Sequence, residues 1–129
     1  MTTAVVCRII GSALVILISA ALAFGGIQLR RRGPGAWPDV VANEMTVRRT
    51  SSGMIVTAAL LLIAGVAALG NLSWGGPAAA IATIVVVAAA FPVNYALFGQ
   101  MRPLHTGTNI VMAVVILALL WFGQDGQTR

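Results

Sequence analysis

From Pro77 to Phe98 the chain reads PAAAIATIVVVAAAFPVNYALF, 22 residues without one charged side chain. Roughly 20 apolar residues in a helix cross the hydrocarbon core of a bilayer, so this stretch is long enough to span one. Three further runs resemble it. Ile9 to Leu29 holds 21 residues between Arg8 and the cluster Arg30, Arg31, Arg32. Met54 to Leu69 holds 16 residues, and Ser51, Ser52 and Asn71 extend it into the headgroup layer. The last run goes from about Gly107 to Gly123 and ends in a polar tail.

Composition decides how to read these runs. Of 129 residues, 59% are hydrophobic and 9% charged, where a soluble domain carries about 25% charged residues. So few polar side chains cannot cover four buried helices with a water-compatible surface. The expected fold class is therefore all-α: an antiparallel four-helix bundle integral to a membrane, with helices at about 5–29, 52–71, 77–98 and 107–123. Residues 1–129 form one transmembrane domain. A cleaved signal peptide competes for the first run, with Ala21-Leu22-Ala23 as cleavage pattern. The apolar stretch continues past it to Leu29, which favours a membrane helix.

The net charge of +5 comes from eight arginines and no lysine, against Asp39, Glu44 and Asp125. A basic chain can bind nucleic acid, but here the arginines stand between apolar runs and mark topology instead. Arg30, Arg31, Arg32, Arg48, Arg49 and Arg102 fall in the first and third loops. The positive-inside rule puts those loops in the cytoplasm and both termini outside. Aromatic residues agree, with Trp74 and Trp121 at the outer boundary and Trp37, Tyr95 and Phe98 at the inner one. Arginine without lysine, with much Ala, Val and Gly, suggests a GC-rich bacterial genome, so the expected membrane is a bacterial cytoplasmic one. Arg30, Arg31, Arg32, Trp37, Arg48 and Arg49 are expected to contact lipid headgroups.

Residues 30–53 form the long polar segment. Gly33-Pro34-Gly35 breaks the first helix. Pro38 and Asp39 then suit the start of a short interfacial helix over residues 38–49, with Val41 and Met45 on one face; the alternative is a mobile loop.

Helices in lipid associate through close backbone approach at small residues. The pairs four apart are Ala21 and Gly25, Ala64 and Ala68, and Ala78 and Ala82. The alanine-rich third helix is expected at the centre of the bundle, or against a partner subunit or second copy. Pro92 removes a backbone donor, so a kink is expected near Ala88–Pro92.

The sequence offers little chemistry. No carboxylate lies in any apolar run, which counts against a proton-coupled multidrug exporter. His105, the single histidine, cannot build a bis-histidine haem site or a multi-histidine metal centre. Cys7, the single cysteine, cannot form an intrachain disulfide. No phosphate-binding loop, dinucleotide fingerprint or nucleophile elbow occurs. No cofactor or metal is expected. Polar residues concentrate where the third and fourth runs meet: Asn94, Tyr95, Gln100, Arg102, His105, Thr106, Thr108 and Asn109. Asn94, Arg102 and His105 are the candidates there for catalysis or binding. The bland alternative is that Asn94 and Asn109 tie helices together while Arg102 and His105 mark the boundary.

Phe91-Pro92-Val93-Asn94 ending a helix, then a loop with arginine and histidine before a last helix, resembles the small four-helix anthrone-oxygenase-like membrane proteins over residues 91–121. That resemblance implies a site at Asn94 and His105. The leading expectation is a non-enzymatic accessory or scaffolding subunit of a larger membrane complex. The alternatives are a membrane-embedded oxidoreductase or oxygenase acting on a lipophilic substrate, and a small transporter or lipid-binding protein.

Overall fold

The computed structural model describes residues 2–35, 40, 42–99 and 103–124. They form four long helices: α1 (Thr3–Arg32), α2 (Glu44–Leu69), α3 (Gly75–Phe98) and α4 (Pro103–Gln124), with a 3₁₀ turn at Gly33–Gly35. All four are long and apolar enough to cross a membrane. No strand occurs among the described residues.

The helix ends follow local chemistry. Thr2 caps α1, its hydroxyl accepting from the Val5 N–H at 3.3 Å. Arg30, Arg31 and Arg32 fill the last turn, where cations face the negative end of the helix dipole. The helix thus runs three residues past Leu29, because long arginine stems let the charges reach polar surroundings from inside a helix. Gly33 stops it at φ 62°.

The second helix corrects the expected interfacial segment. Residues 44–49 are the first turns of α2 and continue unbroken into the apolar run. The stop signal that separates two helices is missing between Arg49 and Met54. The start signal is Asn43, whose Oδ1 accepts from the Thr46 N–H at 2.9 Å, with Glu44 in the first turn beside the positive dipole end. The earlier part of that expectation, at Trp37, Pro38, Asp39 and Val41, lies outside the described residues.

The turn from α2 to α3 is as tight as its breakers suggest. Leu72 donates back to the Ala67 carbonyl at 3.0 Å, and Asn71 adopts φ 62°. Gly75 begins α3 directly against the Ala67–Ala68 backbone, so close that a Cβ would collide with it. Pro77 sits in the first turn of α3, where its missing N–H has no acceptor to leave unpaired. Helix α3 continues through Pro92 to Phe98 and closes at Gly99, φ 70°. The helix thus carries one proline in its interior without ending there.

The helices pack in a ring, as fits a four-helix bundle: α1 on α2, α2 on α3, α3 on α4 and α4 on α1. Across the diagonals α1 barely reaches α3, and α2 does not reach α4 among the described residues. The tightest pair is α1 with α2. A Cβ on Gly26 would stand 3.0 Å from Ile55, and one on Gly65 would stand 2.9 Å from Ile16. Helix α4 meets α1 the same way, with Gly123 against Arg8 and Gly11 against Leu119.

This arrangement corrects the expected central place of α3. Its apolar stretch is the least buried of the four, and that of α2 the most. Short side chains left α3 with little area to bury, and its neighbours on the ring cover one side only. Of the small-residue pairs, Ala64 and Ala68 are buried in the larger core, and Ala78 and Ala82 border it. Gly25 comes within 3.2 Å of the Met54 methyl, measured from where a Cβ would be. Ala21 is exposed.

Two apolar clusters hold the ring. The larger joins Val15, Leu61, Ala64, Ala68, Ala79, Ile116 and Leu120, drawing on all four helices. The smaller, at the end near Arg30, joins Leu29, Val47 and Leu97, with Val40 and Phe98 packed beside it. Outward-facing apolar side chains are numerous, among them Leu17, Phe24, Leu60, Ile81, Val111 and Trp121.

Candidate functional site

Between the two clusters the helices part around a cavity of about 870 Å³. Each helix contributes one face. On α2, Arg49, Gly53, Thr57 and Leu61 line it at a spacing of four, which is one stripe of a helix. Ile18, Leu22 and Gly25 come from α1, and Asn109, Met112 and Ala113 from α4. Helix α3 supplies the most, including Thr83, Val86, Ala90, Asn94 and Phe98.

The cavity exists because small residues meet small residues at this level. Nothing lies within 4 Å of where a Gly53 Cβ would stand. Ala21, Ala90 and Ala113 border the same space. Close-packed interiors leave few voids larger than a water, whereas ligand sites measure about 300–1,000 Å³ and combine apolar walls with a few polar groups. This cavity falls within that range in volume, with mostly apolar walls and a few polar groups.

The polar groups are not equivalent. Thr83 is buried, but its hydroxyl donates to the Ala79 carbonyl of its own helix at 2.8 Å. Asn94 is 6% exposed and borders the cavity. Its side chain has no hydrogen-bond partner among the described residues. An amide on a cavity wall can pair with any molecule that brings a donor or acceptor to it.

Depth can be read from the register. Leu97 and Val47 share the smaller cluster. Three residues inward on each helix stand Asn94 and Thr50, both on the cavity wall. Asn94 thus faces the same end of the cavity as Thr50 and Arg49.

Charge at that end is positive. Arg30 Nη1 donates to Ser52 Oγ at 3.1 Å, and Arg48 stands 4.0 Å from Glu44 on the exposed surface. Glu44 is the only carboxylate side chain among the described residues, and it is not on the cavity wall. Arg49 is.

The expected junction is partly assembled. Asn94 and Asn109 share the cavity, Tyr95 points outward at 57% exposure, and Thr108 is exposed. Thr106 Oγ1 is buried without a partner among the described residues. Gln100 and Arg102 lie outside the described residues, and of His105 only the backbone is described, in the first turn of α4. Trp37 is likewise outside them. Thr57 and Thr83 were not foreseen as part of a site, and Arg49 was expected at lipid headgroups and not on a cavity wall. The signal that Arg49 and Thr57 share a wall was the Arg49-Gly53-Thr57 spacing, polar or small at every fourth residue.

Among the described residues no group of three His, Cys, Asp or Glu could hold a metal ion. Comparison with protein-family models, with curated proteins and with solved structures finds no match for the chain.

Proposed function

We propose that this chain is a multi-pass protein of a bacterial cytoplasmic membrane that holds a lipophilic small molecule between its helices. The four helices cross the bilayer antiparallel, with the Arg30 end in the cytoplasm and both termini outside. The pairing of Gly26 with Ile55 and of Gly65 with Ile16 supports antiparallel α1 and α2, since the later residue of one meets the earlier residue of the other. The outward Leu17, Leu60, Ile81 and Val111 suit hydrocarbon and would be a liability in water.

The observation that carries the functional reading is the cavity of about 870 Å³ with the buried residue Asn94, whose amide has no partner among the described residues, on its wall. This is the arrangement of a binding or carrier protein for a lipid-like molecule. The accessory-subunit reading rests on the outward apolar side chains of α3, Ile81, Ile84 and Val85 among them, which lipid covers as well as a protein would.

Native mass spectrometry of the delipidated full chain, offered a bacterial lipid extract, tests this. A discrete one-to-one adduct is expected on the wild type. Ala90→Trp, which puts an indole into the cavity, should abolish it. An adduct of equal strength on Ala90→Trp would place the lipid elsewhere and reject the reading.

A further inference from the structure

We infer that the cavity takes a single-chain amphiphile with an anionic head, a long-chain carboxylate, its head at Arg49 and Asn94 and its tail toward Leu61 and Ile18. This rests on the ligand reading above and adds the chemical class of the ligand. Three observations carry it.

The first is charge. Arg49 borders one end of the cavity, and Arg30 and Arg48 stand on the same end of the bundle. No carboxylate side chain of the described residues lines the wall. Among the described residues, an anion entering there meets Arg49 and no carboxylate on the wall, and guanidinium and carboxylate match as fork and fork.

The second is the Asn94 amide. It is buried, lacks a partner among the described residues, and faces the Arg49 end of the cavity at the level of Thr50. Its N–H₂ group and the Thr50 hydroxyl are donors that a carboxylate oxygen satisfies. A bound carboxylate thus gives the Asn94 amide an acceptor that no described residue provides.

The third is length and polarity gradient. From Arg49 to Leu61 is twelve residues, or roughly 18 Å of helix. Half of a bilayer core is about 15 Å deep. The cavity therefore reaches from the headgroup level to near the midplane, the span of one chain in one leaflet. Its far end is Ile18, Leu61 and Val86, with the Thr83 hydroxyl already turned onto its own helix. A tail is accommodated there, and a second charge is not.

The experiment compares cis-parinaric acid with its methyl ester, two fluorescent probes that differ only in head charge, on the detergent-solubilised full chain near pH 8, where the free acid is ionised. The acid is expected to bind the wild type about tenfold tighter than the ester, the scale of one charge-assisted hydrogen bond. Arg49→Gln should weaken the acid by about that factor and leave the ester unchanged. Arg48→Gln, on the neighbouring exposed arginine, should leave both unchanged. Equal affinity of acid and ester for the wild type, or indifference of the acid to Arg49→Gln, overturns the anionic-head assignment while the cavity reading stands. Failure of both probes to bind overturns both.

Discussion

Gly65 of α2 lies so close to Ile16 of α1 that an added methyl carbon would stand 2.9 Å from the Ile16 side chain. Twelve residues earlier on the same helix, Gly53 has nothing within 4 Å of the same position. One glycine closes the bundle and the other leaves it open. The functional reading depends on that difference.

The two glycines should respond oppositely to alanine. Gly65→Ala forces Ile16 and Val15 aside and is expected to destabilise by about 1–3 kcal/mol, the usual cost of overpacking. Gly53→Ala gains helix propensity of up to about 1 kcal/mol with no clash. Thermal unfolding in detergent, followed by loss of helical circular dichroism, measures both. Equal losses would mean that the helices are packed alike at the two levels.

Gly75→Ala should be worse than either. The position abuts the Ala67–Ala68 backbone, which cannot swing away as a side chain can. A loss of about 3 kcal/mol is expected, at the upper end of overpacking costs. Gel filtration should show misassembled protein, and a monodisperse Gly75→Ala chain as stable as wild type would contradict the α2–α3 turn described above.

Asn94→Leu should raise stability of the ligand-free protein by up to about 1 kcal/mol, because it replaces a buried amide that has no partner among the described residues by an apolar side chain. The same change should weaken ligand binding. If Asn94 instead tied two helices together, the variant would lose stability. The sign of the shift in melting temperature distinguishes the two.

Topology has its own test. In a Cys7→Ser background, a cysteine at Ser73 should react with an impermeant maleimide added to intact spheroplasts, and one at Gly35 should react only after permeabilisation. Both positions are exposed. The reverse pattern would invert the proposed orientation.

The four helices were legible in the sequence because a charge-free run of some twenty residues has few other uses. Their ends were less so. Pro38 and Asp39 drew the expected second start forward, while the cap that α2 uses is Asn43, with Glu44 behind it. Of the site, Asn94 and Asn109 stood out as polar residues next to apolar runs. The cavity itself was not legible. A small residue brings helices together when a large one faces it, as Ile16 faces Gly65, and leaves a void when other small residues do, as near Gly53, Ala90 and Ala113. Spacing along one helix cannot say which side chain comes to it from another. Arg49 was read as a headgroup anchor for the same reason: its place on the cavity wall depends on where α3 and α4 run.

The most direct test of the account is photocrosslinking of a long-chain carboxylate carrying a diazirine to the full chain in nanodiscs, with the modified residues mapped by mass spectrometry. The account predicts labels on the cavity wall, at Thr57, Val86, Ala90 and Met112, that disappear when unlabelled carboxylate is added in excess. Labels confined to the outward-facing Leu17, Ile63, Val85 and Val114, and undiminished by competitor, would contradict it.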